Sequence, residues 1–150
     1  MKELLEFIGG MYELSLQDLR ERAEQLLALF GLSEVVHRRL GQLSFGMKSR
    51  VVLVMSLLRE PQVLIMDEPF FGLDPQTLRL IKQHLTAQAR RGMAVVLSTH
   101  QLPVVEDLAH RIAVLDRGHL LIVGTFEELK RSHGTDRLEE VFFQLTSPAE

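Results

Sequence analysis

The sequence predicts an α/β fold in which a helical first third is followed by a mostly parallel sheet flanked by helices. Three observations carry this. Apolar residues recur at helical spacing from Leu16 to Phe30. From Glu60 onward the period shortens, and "QVLIM" and "MAVVLS" stand as short apolar runs. Between those runs lies one capped amphipathic segment, giving a strand, crossover helix and strand in about 30 residues, the size of a βαβ unit. The two runs should therefore lie side by side and parallel, with their carboxyl ends together.

The elements follow in order. "MKELLEFIGGM" reads as a short helix ended by Gly9 and Gly10. Ser15, three residues before Asp18, is placed to cap the next helix, whose apolar positions are Leu16, Leu19, Ala23, Leu26, Leu27 and Phe30 and whose stop is Gly31. "SRVVLVMSLLRE" is apolar on nearly every side and predicts a helix buried by its neighbours. "DPQTLRLIKQHLTAQARR" predicts a helix with Asp74 as cap, Pro75 at its first position, and Leu78, Ile81 and Leu85 facing inward. "QLPVVEDLAH" is a short helix. "RIAVLD" and "HLLIVG" are strands joined at Arg117 and Gly118 by a tight hairpin. Thr125 and Glu128 form a capping box for a further helix, and Leu138, Val141, Phe142 and Leu145 give the last helix one apolar face.

Composition narrows the functional classes. At 46% apolar and 25% charged, the 150 residues suffice to bury a core. A formal net charge of -3 with only scattered basic pairs, such as Arg38 with Arg39 and Arg90 with Arg91, disfavours a dedicated nucleic-acid binder. Cys is absent, which excludes disulfides and thiolate metal sites. The longest apolar run, "VVLVMSLL", is far short of the ~20 residues of a membrane-spanning helix, and the N-terminus carries Glu3 and Glu6 where a signal peptide would be basic and then apolar. If the protein works at a membrane, another chain spans it.

The stretch "LIMDEPFFGLDP" sets Asp67 and Glu68 at the end of a predicted parallel strand, while "STH", Ser98 to His100, ends its neighbour. Open α/β sheets bind ligands at that edge. Adjacent carboxylates there suit ATP hydrolysis: one can hold Mg²⁺ through its waters while the other polarises the water attacking the γ-phosphate. Taken singly, a pair of acids at a strand end is more often a solvated edge, and a lone His is usually structural. The series "LSFGMK", "VLIMDEP", "GLDP" and "STH" in that order shifts the balance.

With that series on the page, the sequence resembles the nucleotide-binding domain of ATP-binding cassette (ABC) transporters, a P-loop NTPase-like ABC ATPase fold, over nearly the whole chain. "LSFGMKSR" is similar to the family signature loop, "VLIMDEP" to its Walker B strand, "GLDP" to its D-loop and His100 to its switch histidine. The resemblance implies that Asp67 serves Mg²⁺, Glu68 orients the hydrolytic water and His100 contacts the γ-phosphate. Asp74 would link the two sites of a dimer, and Ser44 and Gly46 would complete a partner's nucleotide site. Residues 1–60 would be a helical subdomain with the signature loop, and 61–150 the part with Walker B, D-loop, switch histidine and C-terminal helices. Apart from the resemblance, Ser44 and the N–H groups near Gly46 precede a helix, whose amino end favours an anion; the bland alternative is that Ser44 only caps it.

The sequence also departs from the family. Phe45 replaces the usual Gly of the signature, Met47 the usual Gln, and Phe71 a small residue before the D-loop Gly. Met at position 47 is familiar in exporter-like members and leans the expectation toward export. The phosphate-cradling G-x-x-x-x-G-K-[ST] is missing. "GQLSFGMKS" comes near it, but Met47 intervenes before Lys48, and helix and loop rather than a strand precede it. The chain thus looks like the C-terminal portion of an ABC domain, truncated before the P-loop, with the adenine-stacking aromatic and the Gln loop also absent. By resemblance the absent strand belongs between "MAVVLS" and "RIAVLD". Each buried polar group left unpaired by that gap would cost about 1–3 kcal/mol, so the isolated chain is expected to be poorly stable unless the strands close up or a partner fills the gap.

Three functions are thereby expected in order. The first is part of an ABC transporter ATPase using ATP and Mg²⁺, in which dimerisation with a second nucleotide-binding subunit, alike or different, drives a transmembrane permease subunit. The second is a non-catalytic partner that offers only Ser44 and Gly46 in trans. The third, a soluble ABC-type ATPase acting on DNA or ribosomes, is disfavoured by the absence of heptads, a tandem domain and a basic patch. The expected location is cytoplasmic, peripheral on the membrane. His37, His84, His110, His119 and His133 lack metal-ligand spacing and are expected on surfaces or helix ends; the pairs Glu127, Glu128 and Glu139, Glu140 read as solvated helix positions.

Overall fold

Among the described residues, 1–147 of a computed structural model, two two-stranded sheets and seven α-helices make up two compact units, Met1–Ser98 and a second that begins at Thr99. This boundary follows the contacts and lies beyond the change of period at residue 60.

In the first unit, α1 spans Lys2–Met11 and α2 Leu16–Leu29. Gly9 and Gly10 do not end α1, as the sequence suggested. A Cβ on Gly9 would lie 2.7 Å from Leu19 Cδ1, so this glycine is there to let α2 approach, and the helix runs on to Met11. Ser15 caps α2 by accepting the Asp18 N–H, and Gly31, at φ +62°, follows its end. Leu19, Ala23, Leu26, Leu27 and Phe30 are buried, but Leu16 is 69% exposed, because it precedes the turn of α2 that meets its neighbours.

Two 3-10 turns, Ser33–Val35 and Leu40–Gln42, lead into α3, Phe45–Leu57. Val51, Leu53, Val54, Leu57 and Leu58 are buried, whereas Val52 is exposed, so α3 is not enclosed on every side. Arg50 donates Nη1 to the Phe30 carbonyl at 3.1 Å and Nε to the Gly46 carbonyl at 3.4 Å, tying α3 to the end of α2.

Strand β1, Val63–Asp67, pairs in parallel with β2, Ala94–Ser98, from Val63 opposite Ala94 to Asp67 opposite Ser98. The connection is α4, Pro75–Arg90, capped by Asp74 with Pro75 at its start. Ile81 and Leu85 are buried and Leu78 partly so. The sequence read "QVLIM" as a buried run. Only Leu64 is buried; Val63, Ile65 and Val96 are exposed, because one face of this two-stranded ribbon lacks a covering layer among the described residues.

The second unit holds α5 (Leu102–Leu108), β3 (Ile112–Asp116), β4 (His119–Gly124), α6 (Phe126–His133) and α7 (Leu138–Thr146). β3 and β4 are antiparallel, and Arg117 and Gly118 turn the hairpin at φ +46° and +82°. The two sheets share no ladder, so the mostly parallel sheet is represented by β1 and β2. Ile112, Val114, Leu129, Leu138 and Val141 form this unit's core, with Phe142 and Leu145 packed against it. The Thr125 and Glu128 capping box is present. The start of α7 is held from a distance, by Glu106 Oε1 accepting the Leu138 N–H at 2.8 Å.

Candidate functional site: two acids at a strand end beside two helix starts

The acids come first. Because β1 and β2 run parallel and in register, Asp67 and Ser98 end them side by side, and Ser98 Oγ donates to Asp67 Oδ1. The Glu68 N–H donates to the Ser98 carbonyl at 2.9 Å, extending the ladder by one rung. The chain then reverses: the Glu68 carbonyl accepts the Phe71 N–H at 3.2 Å, and Glu68 itself sits at φ +45°. For a residue with a Cβ that conformation costs on the order of 1–3 kcal/mol and is concentrated at functional sites. Nothing in the residue type signals it, since Glu does not favour the left-handed region. Asp67 is exposed and Glu68 half-buried.

The donor set at this edge is hard oxygen, a carboxylate beside a hydroxyl, which fits Mg²⁺ bound through one carboxylate, waters and substrate phosphates. Among the described residues no group of three or more His, Cys, Asp or Glu side chains could hold a metal alone.

The second cluster joins two helix starts. Ser44 caps α3, its Oγ accepting the Met47 N–H at 3.3 Å, and so stands at the positive end of a 13-residue helix. Asp74 caps α4 with both carboxylate oxygens: Oδ1 accepts the Thr77 N–H at 2.9 Å and Oδ2 the Thr77 hydroxyl at 2.7 Å. Those bonds, with the Arg50 charge a smaller influence, hold its pKa below the usual carboxylate value. The loops touch. A Cβ on Gly46 would lie 2.7 Å from the Gly72 carbonyl oxygen, and one on Gly72, at φ +74°, would lie 2.8 Å from Phe45 Cδ1. The Phe45 and Phe71 rings meet edge to face, with centroids 5.8 Å apart at 90°. Sequence reasoning identified Phe45 and Phe71 separately and did not pair them.

Of the sequence-predicted residues, the structure thus brings Asp67 and Glu68 to the end of β2, and Ser44 and Gly46 to the loop that leads to Asp74. His100 belongs to the second unit, where its carbonyl accepts the Leu102 N–H at the start of α5. "GQLSFGMKS" runs from within the second 3-10 turn into α3, which is not the strand, loop and helix of a P-loop. Among the other histidines, His84 corrects the surface expectation. It lies half-buried within α4, its ring edge-on to Phe30 at 6.3 Å, and burial pushes its pKa down.

Comparison with known proteins identifies relatives of the chain. The sequence profile of the ABC transporter family matches residues 3–71. A daunorubicin resistance ATP-binding protein of Streptomyces coeruleorubidus is 36% identical over 140 residues, which cover 93% of this chain and 44% of that protein. A Nod factor export ATP-binding protein of Rhizobium sp. (strain N33) is 34% identical, covering 95% of this chain and 47% of that one. The solved structure of an ATP-binding subunit of an ABC transporter superposes with a TM-score of 0.90 at 31% identity, over 97% of this chain and 62% of that one. The chain therefore spans less than half the length of these curated relatives. From the signature-like start of α3 to the strand ending in Asp67, the chain belongs to the family of ABC transporter ATP-binding proteins.

Proposed function

We propose that the chain is the part of an ABC transporter ATPase that carries the hydrolytic acids and the signature loop. The observation that supports this most is the end of the parallel pair, where Asp67 is bonded to Ser98 and Glu68 follows in a strained turn against the same residue. In this reading 1–60 supply the helical part and 61–150 the remainder. Glu68 polarises the attacking water, Asp67 holds Mg²⁺ with its shell of waters, and His100 contacts the γ-phosphate. Ser44 and the N–H groups at Gly46 face the nucleotide of a second subunit, and Asp74 fixes the loop that runs between the two sites. Mg²⁺ held at Asp67 would supply positive charge that neutralises the phosphates. The 150 residues contain no G-x-x-x-x-G-K-[ST].

The partners are a second nucleotide-binding subunit and a transmembrane permease subunit, at the cytoplasmic face of a membrane. Among the described residues no helix is long and apolar enough to cross one. The relatives that serve daunorubicin resistance and Nod factor export favour an exporter.

The capped start of α3 also favours a second reading, a partner that lends only Ser44 and Gly46 to another subunit's ATP. One experiment separates the two. The chain, joined to a P-loop-bearing amino-terminal portion, is combined with a second nucleotide-binding subunit, and ATP turnover is followed. Dependence on both Ser44 and Glu68 supports the catalytic reading, and dependence on Ser44 alone supports the partner reading. Turnover indifferent to both contradicts each.

A further inference from the structure

The two bulky departures from the family pattern, Phe45 and Phe71, are not independent. Each ring is more than half exposed, 62% and 55%, yet they lie edge to face on one another, 26 positions apart in the chain. Beneath them the backbones are as close as they can be: Gly46 admits no Cβ against the Gly72 carbonyl, and Gly72 none against the Phe45 ring. Arg50 adds a third tie, bonding the Gly46 carbonyl while its charge acts on Asp74.

We propose that Phe45 and Phe71 are positioning residues that clasp the loop capping α3 to the loop capping α4, so that the Ser44 and Asp74 helix starts are held in one fixed register. The inference rests on the proposed function for what those helix starts do, but not for the clasp itself. Separating the loops would also separate the two rings and lose their contact. A small residue at either position, the usual family state, would leave the loops joined by the glycine backbone contacts and Arg50, without the ring pair. An orthogonal ring pair adds directional attraction beyond its buried area, so this chain presents its two helix starts as a single rigid edge.

The test is amide hydrogen exchange on the full chain without nucleotide, read at Met47 and Lys48 on one side and at Phe71 and Leu73 on the other. All four N–H groups have local partners, Ser44 Oγ, Ser44 O, Glu68 O and Phe70 O. Phe71→Leu is expected to speed exchange at Met47 and Lys48, and Phe45→Leu at Phe71 and Leu73, each roughly 2- to 10-fold. The double variant should add nothing beyond the larger single effect. Phe45→Tyr and Phe71→Tyr, which keep the ring edge, should restore protection. Amides inside α4 report global unfolding and should not change. Effects confined to the mutated loop, additive effects in the double variant, or Tyr variants that behave like Leu would each overturn the clasp. Because no nucleotide is present, such a failure leaves the ATPase reading standing, and loss of that reading leaves the clasp measurable.

Discussion

Ser98 donates its hydroxyl to Asp67 across the ends of two parallel strands, joining residues 31 positions apart in the chain. The bond exists because α4 returns the chain to lie in register beside β1, so that the last residue of each strand is the other's neighbour. It occupies one oxygen of the carboxylate proposed to serve Mg²⁺. Ser98→Ala should cost about 0.5–1.5 kcal/mol in urea unfolding, the net value of such a bond, and Ser98→Thr should keep most of it. Equal losses in the two variants would mean that packing, not the hydroxyl, supports the strand end.

The contact between Gly46 and Gly72 makes a sharp mutational contrast. In Gly46→Ala the new Cβ meets a backbone oxygen that cannot rotate away, and a loss of roughly 1–3 kcal/mol is expected, as for other overpacked sites. Gly41 has open space around it, so Gly41→Ala should be near neutral. Denaturant midpoints for the two variants check this directly.

Two isoleucines separate the covered and uncovered sides of the first unit. Ile81 on α4 is 0% exposed and Ile65 on β1 is 73% exposed. Ile81→Ala should destabilise by about 2–5 kcal/mol, while Ile65→Ala should stay within about 0.5 kcal/mol. If Ile65→Ala instead cost as much as Ile81→Ala, the outer face of β1 would be buried in solution by something not present in the chain.

Two groups give stability a pH dependence. His84 has its pKa lowered from 6.5, mainly by burial, so the folded chain favours the neutral ring. The unfolded chain then binds more protons in the window between the lowered value and 6.5, and stability falls as pH drops through it. Asp74 has its pKa lowered from 3.8 by its bonds to Thr77. Its contribution is present above 3.8 and is lost as pH falls through the lowered value. Melting temperatures should thus decline below pH 6.5 in a step that His84→Gln reduces, and again in strong acid in a step that Asp74→Asn reduces.

The parts of the fold legible in the sequence are those whose chemistry is local. The caps at Ser15, Ser44, Asp74 and Thr125 each close on a backbone N–H three residues on, and the Arg117–Gly118 turn needs only its own two residues. That β1 and β2 lie parallel and adjacent followed from the length of their crossover. What stayed hidden depends on distant partners: Gly9 is a packing position for Leu19, and Glu106 reaches α7 from 32 residues away. The apolar face carrying Val63, Ile65 and Val96 reads as core in sequence, because alternation is lost when both faces are apolar. In the candidate site, the places of Asp67 and Glu68 at a strand end and of Ser44 and Asp74 as helix caps could be read directly. The strained turn at Glu68, the Ser98 bond and the Phe45 and Phe71 pair could not, since each arises where two segments meet.

The most direct measurement is single-turnover ATP hydrolysis by the chain joined to a P-loop-bearing amino-terminal portion and paired with a second nucleotide-binding subunit, comparing Glu68 with Glu68→Gln at saturating Mg²⁺ and ATP. A carboxylate that polarises the attacking water contributes about 10²- to 10⁴-fold. The expected result is a loss of that size with nucleotide binding retained. Hydrolysis at an unchanged rate in Glu68→Gln would contradict the assignment of this strand end as the hydrolytic site.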